Sequence, residues 1–389
     1  MRIGLISDTY TPQVNGVTTI VRRIAEALAG GGHDVAIVAP RYPAANGPAR
    51  PPGPWAHELR IPSLPFPPYP AIRLSWPKSG HIARFLDGFR PDLLHVHTEG
   101  PLGLVARGYA LRRGVPLVTS LHTDFARYAR HYGVAPLAPL VWRWLAWFHA
   151  PASLTLTPGE AMRRDLERHA VGHALVWGQG VDPRQFHPSH RDSGWRRWLG
   201  GGDDTVVVLH VGRLAPEKNL EVLIAAWCIA RDRLGEHATF VIAGEGPLER
   251  RVVAALPFVR QLGFLPRDRL ATLYASSDLC VLPSPTETCG LVALEAMASG
   301  LPVIAADAGG LRESVVHEHT GLLVSPHDAA GYAAAIEALA RDAARRFRLA
   351  AAARERAVER DSVREDAELM DRYATLVNRD REGAAACAA

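Results

Sequence analysis

Arg213 and Lys218 stand five residues apart in the turn Gly212-Arg213-Leu214-Ala215-Pro216-Glu217-Lys218-Asn219, directly after an apolar, β-rich run. Two cations so placed could clamp a diphosphate, the arginine through its planar fork and the lysine as a point charge. A solvated turn is the competing reading. Further along, Glu287 and Glu295 bracket Thr288-Cys289-Gly290-Leu291-Val292-Ala293-Leu294. If that stretch were fully helical, the two carboxylates would be separated by roughly 12 Å along its axis. Such a pair could hold hydroxyls at the two ends of a long ligand such as a nucleotide sugar, with the free N–H groups near Cys289 and Gly290 facing its phosphates. The bland alternative makes Glu287 a helix-start acid and Glu295 a surface charge.

The first half carries a second set. The opening strand is followed by Asp8-Thr9-Tyr10-Thr11-Pro12-Gln13-Val14-Asn15-Gly16, and Gly16 stands just before a helical pattern, where backbone N–H groups can approach a phosphate. This turn lacks the G-x-G-x-x-G of dinucleotide binders, and no G-x-x-x-x-G-K-[ST] occurs anywhere, which counts against NAD enzymes and P-loop NTPases. His95, His97 and Asp124 raise the question of a metal. Two histidines at i and i+2 without a matching ligand cluster do not make a zinc site, and no Asp-x-Asp is present to clamp a metal-bound diphosphate. The expectation is no metal and no cofactor, with cationic side chains left to neutralise the phosphates.

Residues in strand-to-helix turns are informative because ligands of open parallel sheets bind beyond the carboxyl ends of the strands. The sequence supplies those strands. Arg2 to Ser7 is β-rich, Val17, Ile20, Val21, Ile24 and Leu28 recur at helical spacing, Gly30-Gly31-Gly32 stops the helix, and His33 to Pro40 forms a second strand, completing a βαβ unit. Short apolar strands return at Asp92–His97, Pro116–Ser120 and Ala152–Thr157. A second series runs through Thr205–Gly212, Thr239–Gly244, Asp278–Pro283 and Pro302–Ala306, continuous rather than alternating, as parallel strands covered on both faces require. The fold class is therefore α/β, with two Rossmann-like, doubly wound parallel-sheet domains sharing a cleft. The polar, proline-containing stretch Asp182–Ser189 is linker chemistry and places the domains at 1–185 and 186–362, with 363–389 a C-terminal helix and frayed tail. Ile61–Pro77, with six prolines among Phe66, Tyr69 and Trp76, reads as a loop.

Composition narrows the class. The chain has 389 residues, 48% apolar and 22% charged, as in soluble globular proteins, and its length suits two cores. Four cysteines without paired spacing and an N-terminus lacking a signal-peptide apolar region point to a cytoplasmic setting. Residues 1–185 hold 20 Lys and Arg against 12 Asp and Glu, a balance of +8 where the whole chain has +4. A basic half suits a phosphorylated substrate or an anionic membrane surface met peripherally. No zinc-finger spacing or RNP-like motif supports nucleic acid as a partner. Arg127, Arg130, Trp142, Arg143, Trp144, Trp147 and Phe148 form a basic, aromatic stretch that suits a membrane interface, with helix-core packing as the competing reading.

Taken together, Glu287-x7-Glu295, Gly212-Arg213 to Lys218, Gly244-Glu245-Gly246-Pro247 and Asp307-Ala308-Gly309-Gly310 with Glu313 resemble the retaining glycosyltransferases of the GT-B fold, family 4. In the first half, Pro12 to Gly16, His95-Val96-His97, His122-Thr123-Asp124 and Trp177-Gly178-Gln179-Gly180-Val181-Asp182 with Phe186 look like the subgroup of GDP-mannose-dependent lipid mannosyltransferases and sulfoquinovosyl lipid synthases. The resemblance covers about residues 1–377. It implies that Arg213 and Lys218 neutralise the departing diphosphate, that Glu295 holds the ribose and Glu287 the transferred sugar, and that Gly16 brings amides to the phosphates. Gly212, Gly244, Cys289, Gly290 and Leu291 would line the donor, Gly263-Phe264-Leu265 would meet the nucleobase, and His122 would sit by the reacting sugar. Asp8, Tyr10, Asn15 and Asp124 would face the acceptor. The family often has an aromatic or small residue where Cys289 stands, and the tryptophan usual near the start of its last helix is replaced here by Ser362 and Val363.

The resemblance implies a hexosyltransferase using a nucleotide sugar, first of all GDP-mannose, and a lipid or glycan acceptor. A UDP-sugar-dependent glycolipid synthase, a sugar-nucleotide epimerase and a binder without turnover are the alternatives.

Overall fold

The computed structural model describes residues 1–13, 15–43, 53, 55, 57–66, 69–123, 135–202 and 204–388. Two compact units divide the chain. The first holds Met1–Ala126, Pro136–Trp177 and Val363–Ala389, and the second holds Gly178–Ser362.

The first unit is built on a seven-stranded parallel sheet: β1 (Arg2–Ile6), β2 (Asp34–Pro40), β3 (His57–Ile61), β6 (Leu93–Val96), β7 (Leu117–Ser120), β8 (Leu154–Thr157) and β9 (Ala174–Val176), in the order β3-β2-β1-β6-β7-β8-β9. The helix Gly16–Gly30 crosses from β1 to β2. Asn15 caps it by accepting from the Thr18 amide at 2.8 Å, its buried stripe is Ile20, Val21, Ile24 and Leu28, and Gly32 ends it at φ +76°. Each such buried aliphatic side chain contributes about 1.5–3 kcal/mol relative to exposure. The order reverses direction between β1 and β6, so the carboxyl ends of those two strands flank the sheet's switch point.

The second unit repeats the plan with six strands: β10 (Val206–Val211), β11 (Ala238–Ala243), β12 (Arg260–Gln261), β13 (Leu279–Leu282), β14 (Val303–Ala306) and β15 (Gly321–Val324), in the order β12-β11-β10-β13-β14-β15. Its switch point lies between β10 and β13, registered through Val208 with Leu279 and Leu209 with Cys280. Val207, Leu209 and Val211 enter one core cluster while Val206 and Val208 enter the other. That split is why β10 reads as an unbroken apolar run: helices cover both faces of the sheet.

One expectation is corrected. Ile61–Pro77 is not a loop: Ile61 closes β3, and β4 (Ser63–Phe66) pairs antiparallel with β5 (Tyr69–Ser75). A two-stranded ribbon has an unpaired outer edge along each strand, so Pro65 and Pro70 need not interrupt a ladder. The final helix, Ser362–Ala388, buries Leu369, Tyr373 and Val377 at four-residue spacing within the first unit. There Arg23 pairs with Asp366 at 2.9 Å, the Trp177 indole donates to the Glu365 carbonyl at 3.0 Å, and Arg381 pairs with Asp92 at 2.9 Å. Among the described residues no helix is long and apolar enough to cross a membrane.

Candidate active site

In the second unit the four charged residues singled out above, Arg213, Lys218, Glu287 and Glu295, sit on the segments that leave the two switch-point strands. β10 runs into Gly212, Arg213 and a short 3₁₀ turn, Pro216–Lys218, while β13 runs into Pro283–Gly290 and then the helix Leu291–Ala298. The two turns are tied together. The Ser284 and Thr286 hydroxyls both donate to the Glu217 carbonyl at 3.1 Å, and the Asn219 amide donates to the Pro283 carbonyl at 3.1 Å. The Lys218 ammonium meets the Glu287 carboxylate in a close ion pair, each side chain 19% exposed. Each thereby keeps its charge compensated while partly desolvated. Arg213 is half-buried, 3.9 Å from the buried carboxylate of Glu217; burial lowers its guanidinium pKa and Glu217 opposes the shift.

Glu295 lies deeper. The helix starts at Leu291, so Glu287 is in the loop before it and Glu295 is one turn in. The 12 Å axial separation expected for a fully helical stretch therefore does not apply: Gly290, at φ +70°, ends the loop in a left-handed conformation that a longer helix would not allow. Burial pushes the Glu295 carboxyl above the usual glutamate range, while Arg267 at 3.4 Å and the Tyr274 hydroxyl at 3.4 Å pull the other way. Neither partner was singled out from the sequence. Arg267 and Tyr274 lie on a separate helix, Arg267–Ala275, whose approach to Glu295 only the folded chain reveals.

The glycine turns adjoin the Arg213 turn, where the Leu214 amide donates to the Glu245 carbonyl at 2.9 Å. The Gly244 amide donates to the Gly263 carbonyl at 2.8 Å, and the Phe264 amide donates to the Glu245 carboxylate at 3.1 Å. Phe264 is half-exposed, whereas Leu265 packs on the core. A Cβ on Gly244 would stand 1.9 Å from the Gly212 carbonyl oxygen, at a φ of +141°. Gly244→Ala is therefore expected to destabilise the protein by about 1–3 kcal/mol through overpacking and backbone strain. Urea unfolding measures it, and an unchanged midpoint would contradict the close approach. Near the helix start, Cys289 is buried with its thiol on the Gly178 carbonyl at 3.0 Å and its own carbonyl accepting from the Ser314 hydroxyl at 3.1 Å. Leu291 is partly buried against the same core.

The first unit gathers a histidine array at its own switch point. His97 follows β6 and His122 follows β7, with the His97 Nδ1 and His122 Nε2 atoms 3.1 Å apart. His122 is half-buried, and burial lowers its pKa to about 4. Gly16 opens the helix Gly16–Gly30 with nothing within 4 Å of where a Cβ would lie, so space is open beside those first amides. Three of the four residues expected to face the acceptor are described. Asp8 accepts from the Thr98 hydroxyl at 2.8 Å and the Leu102 amide at 2.9 Å, at the start of the helix Pro101–Arg113, and burial raises its carboxyl to about 6. Asn15 is the helix cap already described. Tyr10 is fully buried under Arg60, whose guanidinium lies 5.0 Å from the ring. Asp8 and Asn15 are partly exposed, and Asp124 lies outside the described residues. No cluster of metal-ligating side chains occurs among the described residues.

Comparison with known proteins agrees with this architecture. The family described as Glycosyltransferase Family 4 matches residues 14–185, and that described as Glycosyl transferases group 1 matches residues 205–342. The chain is 38% identical to a GDP-mannose-dependent alpha-mannosyltransferase of Mycolicibacterium smegmatis, covering 87% of each chain. It is 35% identical to the sulfoquinovosyl transferase SQD2 of Arabidopsis thaliana, over 75% of this chain and 58% of that one. In three dimensions it resembles Anabaena HepE, solved in complex with UDP, with a TM-score of 0.77 at 21% identity over 96% of this chain and all of that one. That last likeness establishes the GT-B fold.

Proposed function

This chain belongs to glycosyltransferase family 4, and we propose that it moves mannose from GDP-mannose to a hydroxyl of a lipid or glycan, with retention of configuration and without a metal. The observation that carries this reading is the gathering of Arg213, Lys218 and Glu287 beside one switch point, with Glu295 a turn into the adjoining helix. The likeness to mannosyltransferases supports the choice of donor.

In this reading the sugar's bond to the β-phosphate breaks as the acceptor oxygen bonds the same carbon from the same face, and the acceptor's proton passes to the phosphate. No covalent nucleophile is needed. What the protein must supply is stabilisation of charge growing on the diphosphate, and positively charged groups held in place before the reaction do that best. Lys218 and Glu287 exchange partners when donor binds: the ammonium turns to phosphate and the carboxylate to sugar hydroxyls. Glu295 takes the ribose, the amides before Leu291 face phosphate, and the Gly263–Leu265 turn meets the base. The first unit contributes His122, the Gly16 amides and acceptor recognition.

A thermal-shift panel of GDP-, UDP- and ADP-sugars tests the donor, because a ligand that binds only the folded state stabilises by about 2.7 kcal/mol at a hundredfold excess over its Kd. GDP-mannose should give the largest shift. A larger shift with a UDP-sugar would replace it by the UDP-dependent glycolipid synthase reading.

A lipid acceptor is favoured by one surface. Leu137, Leu140, Trp144 and Trp147 are exposed at helical spacing on and just before the helix Ala138–His149, and the Arg107 guanidinium stacks 4.0 Å from the Trp147 ring. Phe148, by contrast, is fully buried, and Trp142 stacks on His169 at 4.3 Å, so only part of the aromatic stretch faces out. Sedimentation with anionic liposomes is expected, and Trp144→Ser with Trp147→Ser should reduce it. Absence of binding to both anionic and neutral vesicles would rule out the membrane part of the proposal.

A further inference from the structure

Three histidines of the first unit form a stack, of which the transfer mechanism above uses only His122. His95 and His97 project from the same side of the β6 segment, two residues apart, with ring centroids 3.8 Å apart; His97 and His122 follow at 5.4 Å, their planes within 13°. His95 is held at both nitrogens, Nδ1 to the Tyr373 hydroxyl at 2.5 Å and Nε2 to the Ser120 hydroxyl at 2.7 Å. Tyr373 comes from the final helix, so that helix fixes the inner end of the stack.

The His97–His122 contact joins two nitrogens, and one must carry the hydrogen. Burial lowers the pKa of both rings below the ordinary histidine value, leaving each with a single N–H. His97 Nε2 is buried and has no hydrogen-bond partner among the described residues. If His122 donated, the hydrogen of His97 would be on Nε2, a buried N–H with nothing to accept it. If His97 Nδ1 donates, Nε2 is left with an unused lone pair, and an unused acceptor is the more tolerable of the two defects. We propose that His97 is the positioning residue that donates its Nδ1–H to His122 Nε2 and so fixes His122 in the tautomer with hydrogen on Nδ1. His122 Nε2 then commits its lone pair to His97 and Nδ1 carries the hydrogen, so the ring is unsuited to take a proton from the acceptor.

The inference rests on the glycosyl-transfer reading for its consequence but not for its test. In protein labelled with ¹⁵N-histidine, with His122 assigned by the signal lost in His122→Gln, Nδ1 should appear protonated and Nε2 unprotonated in the resting state. Protonated Nε2 would overturn the proposal whichever sugar nucleotide is the donor, while donor identity is reported separately by the thermal-shift panel. For the consequence, His97→Phe keeps the stack and removes the N–H, whereas His97→Asn can return an amide N–H to His122. We expect His97→Phe to lower kcat about tenfold with donor KM little changed, and His97→Asn to recover most of that loss. Equal kcat in the two variants would reduce His97 to packing and overturn the positioning role.

Discussion

Replacing Arg213 or Lys218 by alanine is expected to lower kcat with GDP-mannose about 10²–10³-fold each, with a smaller effect on donor affinity, because their charge is needed most as the diphosphate departs. Both sit where that charge must be met, at the carboxyl end of β10, and neither is fully exposed to water that would screen it. The double variant should lose less than the product of the two single losses, since the two cations serve one leaving group. Lys218→Ala also strips Glu287 of its ion-pair partner, so Lys218→Arg is the informative companion: it restores charge but not shape, and partial recovery is expected. Turnover undiminished in either alanine variant would remove that residue from the leaving-group role.

Glu295→Ala should instead appear in donor affinity, weakening it about 10²-fold, since hydrogen bonds from hydroxyls to a charged, desolvated carboxylate contribute about 1.5–3 kcal/mol each. A pH dependence accompanies it. Burial raises the Glu295 pKa, so the folded protein holds this proton to higher pH than an ordinary glutamate would. The group's contribution to stability therefore declines as pH rises through the window between its unfolded and folded values. Ribose binding needs the ionised form, so donor affinity should fall as pH drops through the raised value, with a midpoint above the ordinary glutamate range. Calorimetric titration of GDP binding across that range should show the fall in the native protein and not in Glu295→Ala. An unchanged Kd for the variant would place the ribose elsewhere.

Much of this arrangement was legible before folding. Continuous apolar runs such as Val206–Val211 announce strands covered on both faces, and Gly212-Arg213 to Lys218 announces a charged turn after one of them. Spatial order was not legible: β13 lies beside β10 although β11 and β12 intervene in sequence, and that adjacency is what brings Glu287 to Lys218. Helix extent was misjudged for a local reason, because Gly290 in the left-handed region delays the helix to Leu291. Partners drawn from separate elements, Arg267 and Tyr274 at Glu295 or Tyr373 at His95, leave no mark in local spacing. Tyr10, which the resemblance places toward the acceptor, is fully buried beneath Arg60, and nothing in the local spacing announces that burial.

The central claim is retaining transfer from a nucleotide sugar, and NMR of the product formed from GDP-mannose, a membrane-lipid extract and the protein in excess EDTA tests it most directly. The account predicts release of GDP together with an α-linked mannosyl product. A β-linked product, a 2-epimer of the donor formed without acceptor, or transfer that stops when EDTA is added would contradict it.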